Sequence, residues 1–332
     1  MRLPVLLRLA LGLATTSACM ATPLAAQVRS FELTSDNDAY DFWIPFAVRP
    51  DYEYSNGLRL AAELEGAPGW TGLAKDLAPC ARDGSEAAPA DPEAGCVSTT
   101  FEFGQRMYMP RNDSYVATRG ERPYAGWLYV AATGRVVEGP VRHTYGIEVG
   151  VTGEPSLGRT VMETFHALTG FREVVGWQHQ LGFEPGVVLR YGAEQRAELR
   201  AGEGRIADVV ADVGATLGNV HTGGQAGVRA RVGYDLHHPW AARAARGTSV
   251  YLSAAASGQV VLRNLFLDGN TLGSQPPRVH RELLVGSRGW GVGVASGRFG
   301  GEFRVLTRTR EYREEPGGHP VGTIELTWRR QP

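Results

Sequence analysis

Three groups of polar residues in this chain have side chains suited to hydrolysis. Asp36, Asn37 and Asp38 bring hard oxygen atoms of the kind that bind calcium. Ser55 carries a hydroxyl, and His166 carries an imidazole that can take a proton from water near neutral pH. These residue types point to base-assisted or metal-assisted chemistry, provided that the fold brings them together.

Each group also has a simpler structural interpretation. Asx residues favour turns, so Asp36 to Asp38 also fits a solvated strand end. The sequence after Asp36 lacks the glycine and distal glutamate of a twelve-residue calcium loop. Ser55 precedes Asn56-Gly57, a pair typical of turns. Spacing alone therefore leaves both the metal and the catalytic roles open.

The segment around His166 differs from its neighbours because its apolar residues recur at helical spacing. They are Leu157, Val161, Phe165 and Leu168. This pattern predicts an amphipathic helix from Ser156 to Leu168, with Ser156 as its cap. A helix in a long loop fits a lid, a site wall or simple loop packing.

Elsewhere the pattern is alternation of apolar and polar residues, as in 58–65, 145–152, 228–235 and 323–329. Each such strand has one apolar face and one charged or small face. In a soluble sandwich the apolar face packs on a second sheet, whereas in a membrane barrel it meets lipid. Periodicity leaves these two open. Two features favour an all-β, antiparallel transmembrane barrel: an export signal at the N-terminus, described below, and the repeated Arg and Glu on the second face.

We predict about twelve strands, an even number that suits a bacterial barrel with periplasmic termini. Their ranges are 30–38, 56–65, 98–109, 124–137, 142–152, 185–200, 204–217, 223–235, 248–263, 279–295, 298–312 and 320–329. The outward loops are then 39–55, 110–123, 153–184, 264–278 and 313–319. The loop 66–97 falls on the periplasmic side and has room for a short helix from Trp70 to Leu77.

The N-terminus predicts an exported protein. Residues 1–26 combine arginines, an apolar stretch and small residues at a cleavage site, so the barrel domain spans 27–332. A lipoprotein anchored at Cys19 is the alternative. In the exported compartment, Cys80 and Cys96 are expected to form a disulfide. The net charge of −1 gives no basic field for nucleic acid.

The segment from Arg122 to Tyr129 joins a polar loop to a strand rich in aromatic residues. Tyr124, Trp127 and Tyr129 are of the type that forms a belt at a membrane interface. Near the C-terminus, Trp328 is a candidate for the terminal aromatic of a bacterial barrel. We therefore expect the Arg122–Tyr129 segment to mark a strand that enters the barrel at its outward rim.

Taken in order, these segments resemble the outer-membrane lipid A 3′-O-deacylase family, which is LpxR-like. The resemblance is carried by 35–38, 54–57, 104–105, 107–110, 122–129, His166 and 176–181, and it spans most of the mature chain. It implies a twelve-stranded barrel and a calcium-dependent esterase that removes the 3′-linked acyloxyacyl chain of lipid A. It also implies a multi-pass protein of the bacterial outer membrane, with lipopolysaccharide as its partner. We expect a monomer.

Carried over by position, the resemblance makes His166 the general base that activates water. Asn37 and Asp38 fall in the metal and base-orienting part of the site, and Ser55 replaces the usual threonine while keeping its hydroxyl. Further members of the implied site are Glu173 as a metal ligand, and Arg111, Tyr108 and Gln105 as substrate-binding residues.

The chain departs from the family pattern at three places. Met162 stands where the pattern has a glutamine one helical turn before the histidine. Arg172 aligns near the acidic position that follows the histidine, and Glu173 is adjacent. The second outer loop has Arg111 and Arg119 in place of a lysine. A barrel of the same family with no activity, or with another specificity, is therefore the alternative, followed by a soluble exported β-sandwich that binds a ligand.

Overall fold

A computed structural model of the chain describes most residues from Val28 to Arg330. The described ranges are 28–41, 53–66, 78–79, 96–112, 114–117, 119–170, 174–202, 204–240, 247–273 and 279–330. Several predicted features lie outside them: the signal peptide 1–26, the helix 70–77, Cys19, Cys80, Arg172 and Glu173.

Alternation along the chain produces twelve long strands within the described ranges. They are β1 Val28–Asn37, β2 Glu53–Glu65, β3 Cys96–Met109, β4 Ala125–Glu138, β5 Val141–Thr152, β6 Pro185–Ala201, β7 Gly204–Gly218, β8 His221–Tyr234, β9 Thr248–Asn264, β10 Leu284–Ser296, β11 Phe299–Arg308 and β12 Pro320–Arg329. Each pairs antiparallel with its neighbour in the sequence, and a two-residue strand, Ala78–Pro79, adds to β3 in parallel. The predicted twelve-stranded antiparallel barrel is confirmed.

Pairing of the first strand with the last closes the barrel. Phe31 of β1 lies opposite Trp328 of β12, and Asn37 lies opposite Gly322. The rings of Phe31 and Trp328 are 5.8 Å apart between centroids. Because every long strand then has two partners, the ring removes the open edges that a flat sheet would expose.

Two strands are shorter than the alternation predicts. The predicted ranges 279–295 and 298–312 overshoot, since β10 begins at Leu284 and β11 ends at Arg308. Beyond these ends the chain leaves the sheet, with one isolated bridge between Arg281 and Tyr312. Arg281 instead donates to the carboxylate of Asp268 at 3.1 Å.

The two faces of the wall differ as expected for a barrel in lipid. Large apolar side chains remain exposed on the outside, among them Phe103, Val130, Leu189 and Leu252. The interior holds a cavity of about 790 Å³ lined by charged residues such as Arg106, Glu148 and Arg190. No helix among the described residues is long and apolar enough to cross a membrane.

One end of the barrel, where β1 ends and β2 begins, is called the upper rim. A short helix, α2 (Leu265–Asp268), folds into the interior there. Its Phe266 stacks on Tyr108 with 4.3 Å between ring centroids and meets Trp127 edge-on at 6.5 Å. These aromatic side chains pack together inside the barrel beneath the upper rim.

The expected interface belt at Tyr124, Trp127 and Tyr129 is wrong, because all three side chains are buried. Trp127 points inward, and its indole donates to Glu148 at 2.8 Å. Tyr129 lies under the guanidinium of Arg106 at 4.5 Å. Tyr124 is covered by loop residues, and its hydroxyl donates to a backbone carbonyl. Aromatic rings at these positions satisfy polar partners in the interior and in loops instead of facing lipid.

Candidate functional site

A helix, α1 (Gly158–Thr169), lies against the outside of the wall near the upper rim. It packs on β3 and β4. Close approach is possible because Gly126 and Gly158 meet without side chains: a Cβ on Gly126 would lie 2.2 Å from Ser156 Oγ and 3.2 Å from Gly158 Cα. Gln105 also donates from Nε2 to the carbonyl of Ser156 at 2.6 Å. These contacts seat the start of the helix on the outside face.

The start of α1 differs from the predicted cap. Ser156 belongs to a preceding 3₁₀ turn, Glu154–Ser156, and its hydroxyl donates to the Gly153 carbonyl at 2.6 Å. Leu157 occupies the cap position with φ of 58° and no side-chain bond to the helix. The predicted helix is therefore confirmed, while the serine cap is wrong because the serine closes the turn before it.

One face of α1 is buried against the barrel. Gly158, Met162 and His166 follow at intervals of four residues, and the two side chains are 3% and 6% exposed. Phe165 flanks His166 with an edge-on ring contact at 6.1 Å. His166 thus faces the barrel and not bulk solvent.

Met162 connects the His166 face to the strands. It belongs to one buried apolar cluster with Met107, Met109, Tyr124, Val174 and Trp177. Tyr124 and Trp177 lie 5.3 Å apart between ring centroids. Where the family pattern has an amide, this chain therefore has a methionine in a sulfur-rich and aromatic pocket.

Ser55 lies at a β-bulge, where the β2–β3 register shifts between Tyr54 and Asn56. Its side chain is 1% exposed, and Oγ is 3.5 Å from the carbonyl oxygen of Met107. Bulges re-aim side chains and are common beside functional sites. Met107 also belongs to the buried cluster that contains Met162, so Ser55 lies beside the cluster that packs under the helical turn before His166.

Asn37 lies on the outside face of the wall. In the β1–β2 register Ser35 lies opposite Leu58, whose side chain faces outward. Asn37 lies two residues after Ser35, opposite Asn56, and therefore faces the same way. Asp36 points inward, where it accepts hydrogen bonds from Tyr54 and Thr323, both at 2.8 Å. The polar run at the end of β1 is therefore divided between the two faces.

The remaining predicted site residues lie in different places. Asp38 begins a short 3₁₀ turn and is 1% exposed. Gln105 is on the outside face, bound to the loop that precedes α1. Tyr108 lines the interior, so the wall separates it from Asn37 and Gln105. Arg111 follows β3 at the upper rim and is partly exposed.

The implied calcium ion requires six to eight oxygen ligands. Asn37 and Asp38 supply oxygen atoms at the upper rim, and the third predicted ligand, Glu173, lies outside the described residues. Within those residues, no group of three or more His, Cys, Asp or Glu side chains is placed to hold a metal ion. The calcium site stays a prediction.

Cys96 at the start of β3 is disulfide-bonded. Its expected partner, Cys80, lies outside the described residues, so the pairing of the two stays a prediction. The bond constrains the chain at the lower end of β3, whereas Met107 and Met109 lie at the upper end of the same strand.

A buried ionic cluster that sequence reasoning missed fixes the rim beside Ser55. Arg122 donates to Glu53 at 3.2 Å and to Glu311 at 3.1 Å, and Tyr312 donates to Glu53 at 2.6 Å. Burial opposes ionisation of Glu311, but the nearby guanidinium groups, Arg122 foremost, hold its pKa at about 2. The polar start of the Arg122–Tyr129 segment drew attention to Arg122 in the sequence, but nothing in the sequence indicated that Glu53 and Glu311 are its partners.

Comparison with known proteins shows which family has this architecture. The chain matches the family model described as outer membrane protein LpxR over residues 7–330. It is similar in structure to LpxR from Salmonella typhimurium, with a TM-score of 0.73, 16% sequence identity, and coverage of 91% of this chain and 100% of that chain. The β domain of the Bordetella autotransporter BrkA matches with a TM-score of 0.46 and 9% identity, over 92% of this chain and 100% of that one.

No curated protein sequence matches the chain. The family model nevertheless spans nearly its whole length, and the solved LpxR has the same barrel fold. This chain is a β-barrel of the bacterial outer membrane and belongs to the LpxR family.

Proposed function

We propose that this protein is an esterase that deacylates lipid A, releasing the 3′-linked acyloxyacyl chain with His166 as general base. The observation that carries the proposal is the burial of His166 between α1 and the outside of the barrel wall, on the side that meets lipid. A lipid substrate can approach that side from the membrane. The activity itself comes from the family resemblance.

The proposed reaction is hydrolysis by an activated water molecule. His166 takes a proton from water as the water oxygen attacks the ester carbonyl carbon. Collapse of the tetrahedral intermediate breaks the bond to the 3′ oxygen, and the imidazolium returns its proton to that oxygen. The products are a free 3′ hydroxyl and a carboxylic acid.

Other residues have positioning roles in this proposal. Ser55, held in a bulge 3.5 Å from the Met107 carbonyl, offers a hydroxyl beside the pocket. The carboxamide of Asn37 lies on the same outside face. Arg111 at the rim is suited to a lipid A phosphate, because guanidinium groups bind phosphate oxygens in a fixed fork.

A calcium ion is part of the proposal, with Asn37, Asp38 and Glu173 as contributors of oxygen ligands. A bound calcium would polarise the ester carbonyl. Chelation provides the test: treatment with EGTA should abolish deacylation, and added calcium should restore it. Unchanged activity in EGTA would remove the metal from the proposal and leave the histidine mechanism standing.

The deacylase proposal is tested by mass spectrometry of lipid A from a bacterial host that lacks this activity. Expression of the wild type should yield lipid A lighter by the 3′-acyloxyacyl group, and His166→Asn should not. His280→Asn is the matched control, because His280 is a surface side chain, 75% exposed, that pairs with Glu314. Unmodified lipid A from cells with correctly folded wild type and calcium would reject this activity and favour a barrel without it.

A further inference from the structure

The apolar residues that predicted α1 are not buried in the structure. Leu157, Val161, Phe165 and Leu168 are 51%, 40%, 44% and 82% exposed. At 100° per residue Val161, Phe165 and Leu168 form one stripe beside the buried face that carries His166, and Leu157 precedes it at the cap position. A contiguous exposed apolar stripe indicates an interaction surface and is unusual on a face in contact with water.

The charged residues of α1 lie on the opposite flank of its buried face. Arg159 and Glu163 pair with each other at 2.8 Å, and their side chains are 45% and 42% exposed. The helix therefore presents an apolar edge, a face against the barrel and a charged edge, in that order around its axis. This is the arrangement of a helix lying in a membrane interface, with one edge in acyl chains and the other near headgroups and water.

The surface next to the stripe is already a lipid-facing wall. Gly126, on which α1 rests, shares the outside face of β4 with Leu128 and Val130, and Val130 is 51% exposed. On β3, Phe103 lies two residues before Gln105 on the same face and is 52% exposed. The apolar edge of the helix thus continues an established contact with lipid, which favours acyl chains over a protein as its occupant.

We infer that α1 is an interfacial helix whose stripe of Val161, Phe165 and Leu168 is covered by acyl chains of the outer leaflet. Placed in this way, the helix holds the His166 face at the depth where acyl chains meet headgroups. The inference concerns the position of α1 in the membrane, and it stands whether or not the protein hydrolyses lipid A.

Spin labels on single introduced cysteines test this placement in phosphatidylcholine vesicles. Collision rates with oxygen, which concentrates in acyl chains, are compared with rates for a water-soluble nickel chelate. Labels at Val161 and Leu168 should favour oxygen, as should the strand control Val130, whereas a label at Arg159 should favour the chelate. Preference for the chelate at both Val161 and Leu168, with Val130 in lipid, would overturn the inference.

A second measurement distinguishes lipid from a protein occupant. In native outer-membrane vesicles, the label at Leu168 should keep its preference for oxygen. Exclusion of both oxygen and chelate at Leu168 in native vesicles, but not in pure lipid, would mean that a protein covers the stripe, and would overturn the lipid assignment.

A charge placed on the stripe should move the helix. With the label at Val161, the substitution Leu168→Asp should shift the collision ratio toward the chelate, because a carboxylate in acyl chains is strongly unfavourable. Ala167→Asp is the matched control, since Ala167 is exposed but lies off the stripe. Equal shifts for the two variants, or none for Leu168→Asp, would contradict the inference. Neither readout depends on catalytic activity.

Discussion

The guanidinium of Arg122 lies 3.2 Å from the carboxylate of Glu53, and neither side chain is exposed. The pair joins the loop before β4 to the first residue of β2, two positions before Ser55. Glu53 has a φ of 70°, a left-handed conformation that side chains other than glycine seldom adopt. The ion pair therefore holds a strained backbone in place at the start of the strand that presents Ser55.

Removal of Arg122 should destabilise the barrel markedly. In Arg122→Met, Glu53 and Glu311 are left buried without their shared cation, and breaking such a pair costs about 3–5 kcal/mol. We expect a lower urea midpoint for unfolding in detergent micelles, followed by the loss of heat-modifiable migration on gels. Arg119→Met is the matched control from the same loop, with an exposed side chain and little expected effect. A urea midpoint equal to that of the control would show that the ionic cluster does not stabilise the folded barrel.

Acid should weaken the same cluster. Because the pKa of Glu311 falls from its ordinary value of 4.5 to about 2 in the fold, its contribution is complete above pH 4.5 and is lost as the pH falls toward 2. Urea midpoints measured through this window should drop more steeply for the wild type than for Glu311→Gln, which cannot ionise. Parallel pH profiles of the two proteins would argue against a paired, ionised Glu311.

The strands could be predicted because their pattern is local. Whether a residue such as Leu58 faces lipid follows from its neighbours two positions away, so counting and closing the barrel required no distant information. The cluster at Arg122 could not be predicted in this way, since its partners lie 69 and 189 residues away in sequence. Trp127 is a different case: its indole binds Glu148, which lies only 21 residues away on the neighbouring strand β5 and shares the interior face.

For the candidate site, the sequence predicted the helix but not its orientation. The spacing of Leu157, Val161 and Phe165 correctly predicted a helix, but the usual assumption that the apolar face is the packed face fails beside lipid. There the solvent is itself apolar, so the packed face can be the one with glycine, methionine and histidine. The sequence therefore located His166 on a helix without showing which side of that helix faces the barrel.

Close contact between Gly126 and Gly158 should be required for the site and not for the fold. In Gly126→Val the new Cβ would lie 2.2 Å from Ser156 Oγ, so the start of α1 must move away from β4. Displacements of about 1 Å near a reacting group can lower rates on the order of 100-fold. We expect folded, heat-modifiable barrels with a comparable loss of lipid A deacylation by mass spectrometry. Gly258→Val is the control, because a Cβ there meets nothing within 4 Å; equal activity of the two variants would count against the seating of the helix.

The apolar cluster around Met162 leads to a prediction about this position, where the family pattern has a glutamine. Met162→Leu preserves volume and apolar character, so stability should change by less than about 1.5 kcal/mol and deacylation should persist. Met162→Gln places an amide among Met107, Met109 and Trp177, at a cost of about 1–3 kcal/mol. Urea midpoints measure both effects.

A glutamine at Met109, in the same cluster but on β3, separates general destabilisation from disturbance of the helix that carries His166. Met109→Gln and Met162→Gln should lower the urea midpoint similarly, since both side chains are 2–3% exposed in one cluster. Deacylation should fall further in Met162→Gln, because Met162 lies one helical turn before His166 and shares its buried face. A gain of activity in Met162→Gln would instead mean that the family amide acts directly on the reaction and that the methionine has weakened the catalyst.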